Sequence, residues 1–251
     1  MSASAGTGRR IAGAVLAVAL CALACVAFAG LPHFGESRGP YEQRRAIEAV
    51  RARQATNLDA FVNFDYRGFD TLGEEYIFLV AIGGFSLLLA ERRGEISDAP
   101  RPPADGRASV APAPVIRAFA LAFVPACILF GFYVVLHGQL TPGGGFQGGV
   151  AIATGALAAW LGGGYRRFVR VFPKTPVEGF ETLGALGYVA LGAGALLAGG
   201  TFMQNVLPLG KAGALFSAGT IDALNGFVGM AISGGFVVLF VEFLKETRAS
   251  R

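Results

Sequence analysis

An all-α integral membrane protein of about six transmembrane helices, in groups of two and four joined by a proline-rich linker, is the fold this sequence predicts. Three observations carry that reading. Hydrophobic residues are 53% of the 251, and 37 glycines come on top of them, well above the roughly 45–50% apolar share, glycine included, of a soluble domain. Charged residues are only 15% and are cleared from stretches of about twenty residues, the length that crosses a hydrocarbon layer of roughly 30 Å as a helix. Polar and proline-rich sequence is gathered into residues 94–114, a composition that buries no core and reads as a linker.

The net charge of +4 does not point to nucleic acid, because the basic residues stand between apolar runs and form no stripe with aromatics. Positive-inside loops account for them. Cys21, Cys25 and Cys127 all lie in apolar runs without metal-ligand spacing and read as small packing residues.

Taken in order, Ile11–Gly30 is the first span. Arg9 and Arg10 before it, with Ala27 and Ala29 at its end, also fit a secretory signal. The run exceeds a typical signal core and the next span needs an earlier crossing, so an uncleaved anchor is expected. The stretch Tyr41–Phe64 mixes Ala46, Ile47, Val50, Leu58 and Phe61 with charges and reads as a surface helix near the headgroups. The second span is Thr71–Ala90, ending at Glu91, Arg92 and Arg93. After the linker come spans at Val115–Leu136, Gly145–Leu161, Phe180–Ala198 and Ala223–Leu244.

Arg166, Arg167, Arg170 and Lys174 crowd the loop after the fourth span, whereas the loop after the third has no charge and the loop after the fifth holds Lys211 and Asp222. With basic loops inside, both termini are cytoplasmic, and the glycine-rich and Leu207–Thr220 loops lie outside. The six arginines between Pro32 and Asp70 run against that orientation. An echo links Gly68-Phe69-Asp70-Thr71-Leu72-Gly73 with Gly179-Phe180-Glu181-Thr182-Leu183-Gly184. An acid serving the amides and positive dipole of a helix start would produce both strings.

The string His137-Gly138-Gln139-Leu140-Thr141-Pro142-Gly143-Gly144-Gly145-Phe146-Gln147-Gly148-Gly149 carries three consecutive glycines after a proline, each costing a helix about 1 kcal/mol. Irregular backbone follows, tolerated at membrane depth only against protein or a polar cavity. The string therefore predicts a close helix contact, a cavity lining or a tight turn capped by Gln147.

Acids in or near spans are the other candidates, since a charge at the bilayer centre costs about 2.5–3.5 kcal/mol even on the lenient insertion scale. Glu74 and Glu75 are about 100° apart on a helix, so at most one is expected to face a given partner. Asp70 and Glu74 share a face, as do Glu178 and Glu181. These acids either decorate helix ends at headgroup level or line an ion path, with Arg67 as counter-ion. His137 either titrates in a relay or sits at the water interface. No nucleophile stands beside a histidine and a carboxylate, and no phosphate-cradling loop occurs, so catalysis, cofactor and metal are not expected. Gly184, Gly187, Gly192, Gly194 and Gly199, with Gly226, Gly229, Gly234 and Gly235, offer faces for close helix packing.

The string His137–Gly149, with Glu181-Thr182-Leu183-Gly184-Ala185-Leu186, Leu207-Pro208-Leu209-Gly210 and Leu215-Phe216-Ser217-Ala218-Gly219-Thr220-Ile221, resembles the B subunit of Mrp (Mnh) cation/proton antiporters over roughly residues 115–245. Asp65-Tyr66-Arg67-Gly68-Phe69-Asp70-Thr71-Leu72-Gly73-Glu74 resembles the C-terminal piece of the antiporter's large A subunit, which is the separate E subunit in membrane-bound hydrogenases. The resemblance divides the chain into an E-like segment with two spans (1–93), a linker (94–114) and a B-like domain with four spans (115–251).

It implies a non-catalytic subunit of a multisubunit Na+/H+ antiporter, without cofactor, in the plasma membrane of a prokaryote. Its partners would be large A- and D-like subunits, small C-, E-, F- and G-like subunits, lipid, and Na+ and H+ as transported ions, with no nucleic acid. A membrane subunit of a hydrogenase or other redox-driven complex with the same antiporter module is the alternative, and a purely structural assembly protein a third. The resemblance makes Glu74 the leading ion-path candidate, beside Asp70, Glu181, Arg67 and His137. It assigns function or assembly to Pro142, Gly143, Gly144, Gly145, Phe146 and Gln147. Gln139 stands where the family commonly has a histidine and Ala231 where many relatives carry an acid, so no relay through those two positions is expected.

Overall fold

In the computed structural model, which describes residues 2–30, 40–95 and 113–249, the uncharged runs are helices, and every regular element among the described residues is helical. Met1–Arg45 forms one unit and Ala46–Arg251 a second. The first holds α1 (Ser2–Ala29), on which Cys21 and Cys25 are exposed. Packing, expected of all three cysteines, holds for Cys127, which is buried in the second unit.

α2 (Pro40–Arg53) ends where Gln54 takes a positive φ of 56°. A short α3 (Leu58–Phe61) and a π-helical turn (Val62–Tyr66) follow. The single surface helix expected over Tyr41–Phe64 is thus broken. Ala55, Ala60, Phe61 and Phe64 are buried in the main core with Tyr188, Ile221 and Leu224, because the chain turns inward after α2 instead of lying along the headgroups.

The remaining helices are α4 (Gly68–Glu95), α5 (Pro114–Leu136), α6 (Gly145–Val171), α7 (Lys174–Leu197) and α8 (Thr220–Ala249). Four helical stretches among the described residues are long and apolar enough to cross a membrane: Gly68–Leu89, Pro114–Leu136, Lys174–Leu197 and Thr220–Leu244. The expected span at Gly145–Leu161 falls in α6, a glycine-rich helix interrupted at Gly164, where φ is 71°. The expected first span falls in α1, whose apolar stretch is the shorter Gly13–Val26. The expected linker lies outside the described residues apart from its edges, since α4 continues to Glu95.

α8 is the central helix, with 61% of its most apolar stretch buried against 11% for that of α4. Phe119, Phe123, Leu129 and Phe130 of α5 point out of the bundle, as suits lipid or neighbouring subunits. α5 and α6 approach so closely that a Cβ on Gly131 would lie 2.6 Å from the Gly148 carbonyl oxygen, and one on Gly148 equally close to that of Gly131. Without a hydrophobic drive between helices in lipid, such backbone approach supplies the packing.

α7 begins at Lys174, six residues before the expected start of its span, so Gly179 lies inside a helix. The echo is therefore not a pair of helix starts. Gly68 opens α4, whereas Glu181 sits two turns into α7, buried against α8.

Candidate functional site

The turn after α5 leaves carbonyls that α5 itself does not bond, and the segment before α3 takes them up. The amides of Thr56 and Asn57 donate to the Gln139 carbonyl at 3.1 and 3.0 Å. Thr56 Oγ1 donates to the Leu140 carbonyl at 2.7 Å, and Asn57 Nδ2 to those of Gly138 and Thr141 at 2.6 and 2.9 Å. Asn57 Oδ1 meanwhile caps α3 by accepting the Asp59 amide. Orphan carbonyls at a helix end require such partners, and meeting the need fixes α3 and the start of α4 beside the glycine-rich turn.

Gly143 and Gly144 have φ of 137° and 139°, a backbone region that L side chains avoid. The irregular backbone expected of the string is present as a turn, and Gly145 then starts α6 hard against α8. A Cβ there would collide with the Asn225 carbonyl and lie 2.6 Å from Val228 Cβ. Asn225, fully buried, accepts the Gly145 amide on Oδ1 at 3.0 Å and donates from Nδ2 to the Ile221 carbonyl at 3.2 Å. The expected capping by Gln147 gives way to this cap from another helix, and Gln147 faces a cavity instead.

That cavity, of about 410 Å³, lies between α3, α4, the turn and α8. Glu74, Gly143, Gly144, Gly145, Phe146 and Gln147 all line it, together with Asn63, Glu75 and Asn225. Pro142 is exposed beside it and outside the lining. Glu74 and Glu75 both reach the cavity, correcting the expectation that at most one faces a given partner: a cavity this wide wraps around more than one face of α4. Glu75 is 5% exposed, whereas Glu74 is exposed.

The other sequence candidates lie elsewhere. Asp70, expected to share a face with Glu74, pairs with Arg67, whose Nε is 2.6 Å away. Both line a separate cleft of about 420 Å³ with Arg53, Asp65 and the Thr201–Asn205 turn. Arg67 is thus counter-ion to Asp70, with the glutamates in the other cavity. His137 stacks on Tyr133 at 4.1 Å between ring centroids, with Nδ1 3.0 Å from the Tyr133 carbonyl, and lines neither space. Glu181 is buried where α4, α7 and α8 meet. Gln139 is buried and structural, its Nε2 donating to the Leu215 carbonyl. Ala231 is buried with its backbone amide under Gly184.

Sequence reasoning passed over Asn225, Asn57 and the ion pair between Lys174 and Glu242, 2.9 Å apart across α7 and α8. Asn225 and Glu242 each carried a signal, as a polar group inside an apolar span. Among the described residues no group of three or more His, Cys, Asp or Glu is placed to hold a metal ion.

Asn225→Ala is expected to leave the Gly145 amide unbonded and cost about 1–2 kcal/mol, seen as faster hydrogen exchange at the start of α6.

A family described as a domain related to the MnhB subunit of Na+/H+ antiporters matches residues 115–238. An uncharacterized protein of Methanocaldococcus jannaschii is 32% identical over 197 residues, 71% of this chain and 73% of that protein. A probable A/B component of a K+/H+ antiporter from Rhizobium meliloti is 29% identical over 172 residues, 62% of this chain and 17% of its own length. Among solved structures, a chain of an archaeal membrane-bound sulfane sulfur reductase is similar at a TM-score of 0.72 and 27% identity, over 94% of this chain and 98% of that one. A chain of the Mrp complex of Dietzia sp. DQ12-45-1b shares the fold at a TM-score of 0.67 and 20% identity, over 94% of this chain and 26% of its own.

Proposed function

Because the chain belongs to the MnhB-type subunits of Mrp-like cation/proton antiporter complexes, we propose that it scaffolds such a complex and lines part of the path of a monovalent cation, Na+ in the first instance. The observation that carries this reading is the cavity joining Glu74 and Glu75 to the glycine-rich turn and Asn225. Two acids gathered with the side chains of Asn63, Gln147 and Asn225 around one cavity beside an irregular glycine-rich turn suit a cation path, whereas lipid-facing packing needs none of them. The role is non-catalytic, the membrane the plasma membrane of a prokaryote, and six the number of crossings, with α1 and α6 added to the four apolar helices. The first half acts as an E-like piece and residues 115–251 as the B-like one. The end carrying Arg167, Arg170 and Lys174 faces the cytoplasm.

A redox-driven complex is the second reading, favoured by the likeness to nearly the whole of a sulfane sulfur reductase chain. Purification from native membranes tests both. Co-purification with large antiporter-like subunits, and Na+-dependent proton movement in vesicles, is the expected result. Iron–sulfur subunits in the preparation would support the second reading, and a monomeric, partnerless chain would sink both.

A further inference from the structure

Two acids inside the bundle have a carboxylate oxygen without a hydrogen bond among the described residues: Oε2 of Glu75 on α4 and Oε1 of Glu181 on α7. Both side chains are more than nine-tenths buried, at 5% and 6% exposure. A third acid, Glu242 on α8, is fully buried and meets Lys174 Nζ at 2.9 Å, while Lys174 also reaches Glu178 at 3.2 Å. Glu75 borders the cavity; Glu181 and the Lys174–Glu242 pair lie outside it.

Helix spacing puts these groups in a row. Lys174 and Glu181 are seven apart on α7, Gly235 and Glu242 seven apart on α8, and Glu75, Phe78 and Ile82 lie three and seven apart on α4, so each set shares a face. The sets meet at one point. A Cβ on Gly235 would lie 3.1 Å from Glu181 Oε1 and 2.6 Å from both Phe78 Cε1 and Ile82 Cδ1. At about 1.5 Å of rise per residue, Glu242 lies about 10 Å along α8 from that point, and Glu75 about 5–10 Å along α4 in the opposite direction. Glu75, Glu181 and Glu242 thus mark a ladder from the cavity to the basic end of the bundle.

Packing alone does not explain a buried carboxylate oxygen left without a partner among the described residues on both Glu75 and Glu181, since an unpaired buried charge is strongly unfavourable. A resident cation fits Glu181 poorly. Hard cations take several oxygen ligands, whereas the neighbours that share the space over Gly235 with its free oxygen are the Phe78 ring and the Ile82 side chain. A proton meets the need with no further ligand, since it leaves the carboxyl neutral. We propose that this subunit carries its own proton route, Glu75 to Glu181 to Glu242, with Lys174 holding the last acid at the basic end and releasing it by turning to Glu178. With rungs about 5–10 Å apart, each carboxyl would pass its proton to the next carboxylate along a chain of two or more water molecules entering the seam, and not by a direct hydrogen bond.

The route rests on the antiporter-subunit reading, and the test separates the two. The whole complex is purified and placed in phosphatidylethanolamine–phosphatidylglycerol vesicles with an internal pH dye, then pulsed with Na+ or K+. Exchange by the unaltered complex tests the antiporter reading. If the unaltered complex exchanges neither ion, that reading fails, and the ladder is read in the same vesicles as proton uptake under an imposed membrane potential. Glu181→Gln, with all subunits retained, is expected to lower proton flux about ten-fold or more, and Glu181→Asp to keep more flux than Glu181→Gln. Flux within about two-fold of the unaltered complex for Glu181→Gln, or equal loss for the Asp variant, overturns the ladder. Should Glu181→Gln fail to assemble, Lys174→Gln with Glu242→Gln decides at the far end: a similar loss supports the route, and unchanged flux overturns it.

Discussion

Glu75→Gln is expected to slow cation/proton exchange by the assembled complex about ten-fold or more, and Glu74→Gln by about three-fold or less. Both acids line the cavity, but they are placed differently. Glu74 is exposed, so water and neighbouring oxygens can replace its carboxylate at little cost. Glu75 is buried, with one oxygen unbonded. A glutamine there keeps the size and gives up only the ability to carry charge or a proton. Vesicles holding complexes with a full set of subunits provide the measurement, and the ranking is the test. A larger loss at Glu74 would return the path to the residue favoured by sequence resemblance and leave Glu75 a packing residue.

The fold was legible in the sequence where one physical signal acted alone. α5 runs Pro114–Leu136 against an expected Val115–Leu136, since it is the most apolar of the spans and no charge interrupts its last turns. α7 was less legible because Lys174, Glu178 and Glu181 make its first turns look like a polar loop. In the folded chain Lys174 is paired across the seam with Glu242, sixty-eight residues on, and no local window holds both. Pro176 gave no contrary warning, since proline fits the first turn of a helix.

The cavity was half legible. The acids of α4 and the glycines of the turn each stood out, but nothing local says that they meet. What joins them is uncharged: the amides of Thr56 and Asn57 and the side chain of Asn57 on the carbonyls of residues 138–141, and Asn225 on Gly145. A search for charges in apolar runs passes over such groups. Asp70 and Glu74 show the opposite error, for sharing a helix face did not bring them to one cavity. Arg67, three residues before Asp70, holds that carboxylate in the outer cleft.

Gly184→Ala is expected to destabilise the chain by about 1–3 kcal/mol, the usual cost of forcing extra volume into a packed site, whereas Gly83→Ala should be neutral or mildly stabilising. Both glycines are helical and both changes add one methyl group. At Gly184 that methyl would collide with the Ala231 amide nitrogen and lie 2.6 Å from the Phe227 carbonyl oxygen. Those are backbone atoms of the central helix, so relief requires α7 or α8 to move as a body. At Gly83 nothing lies within 4 Å, and alanine recovers up to about 1 kcal/mol of helix propensity. Heating the purified complex in detergent and measuring the fraction that stays assembled compares the two. Gly184 is three residues beyond Glu181 on α7, so a displaced seam also shifts that carboxyl away from α4. The Gly184 variant should therefore lose exchange activity at temperatures where it is still assembled. Equal heat resistance of the two variants would mean that α7 and α8 are held together by something other than the approach of their backbones.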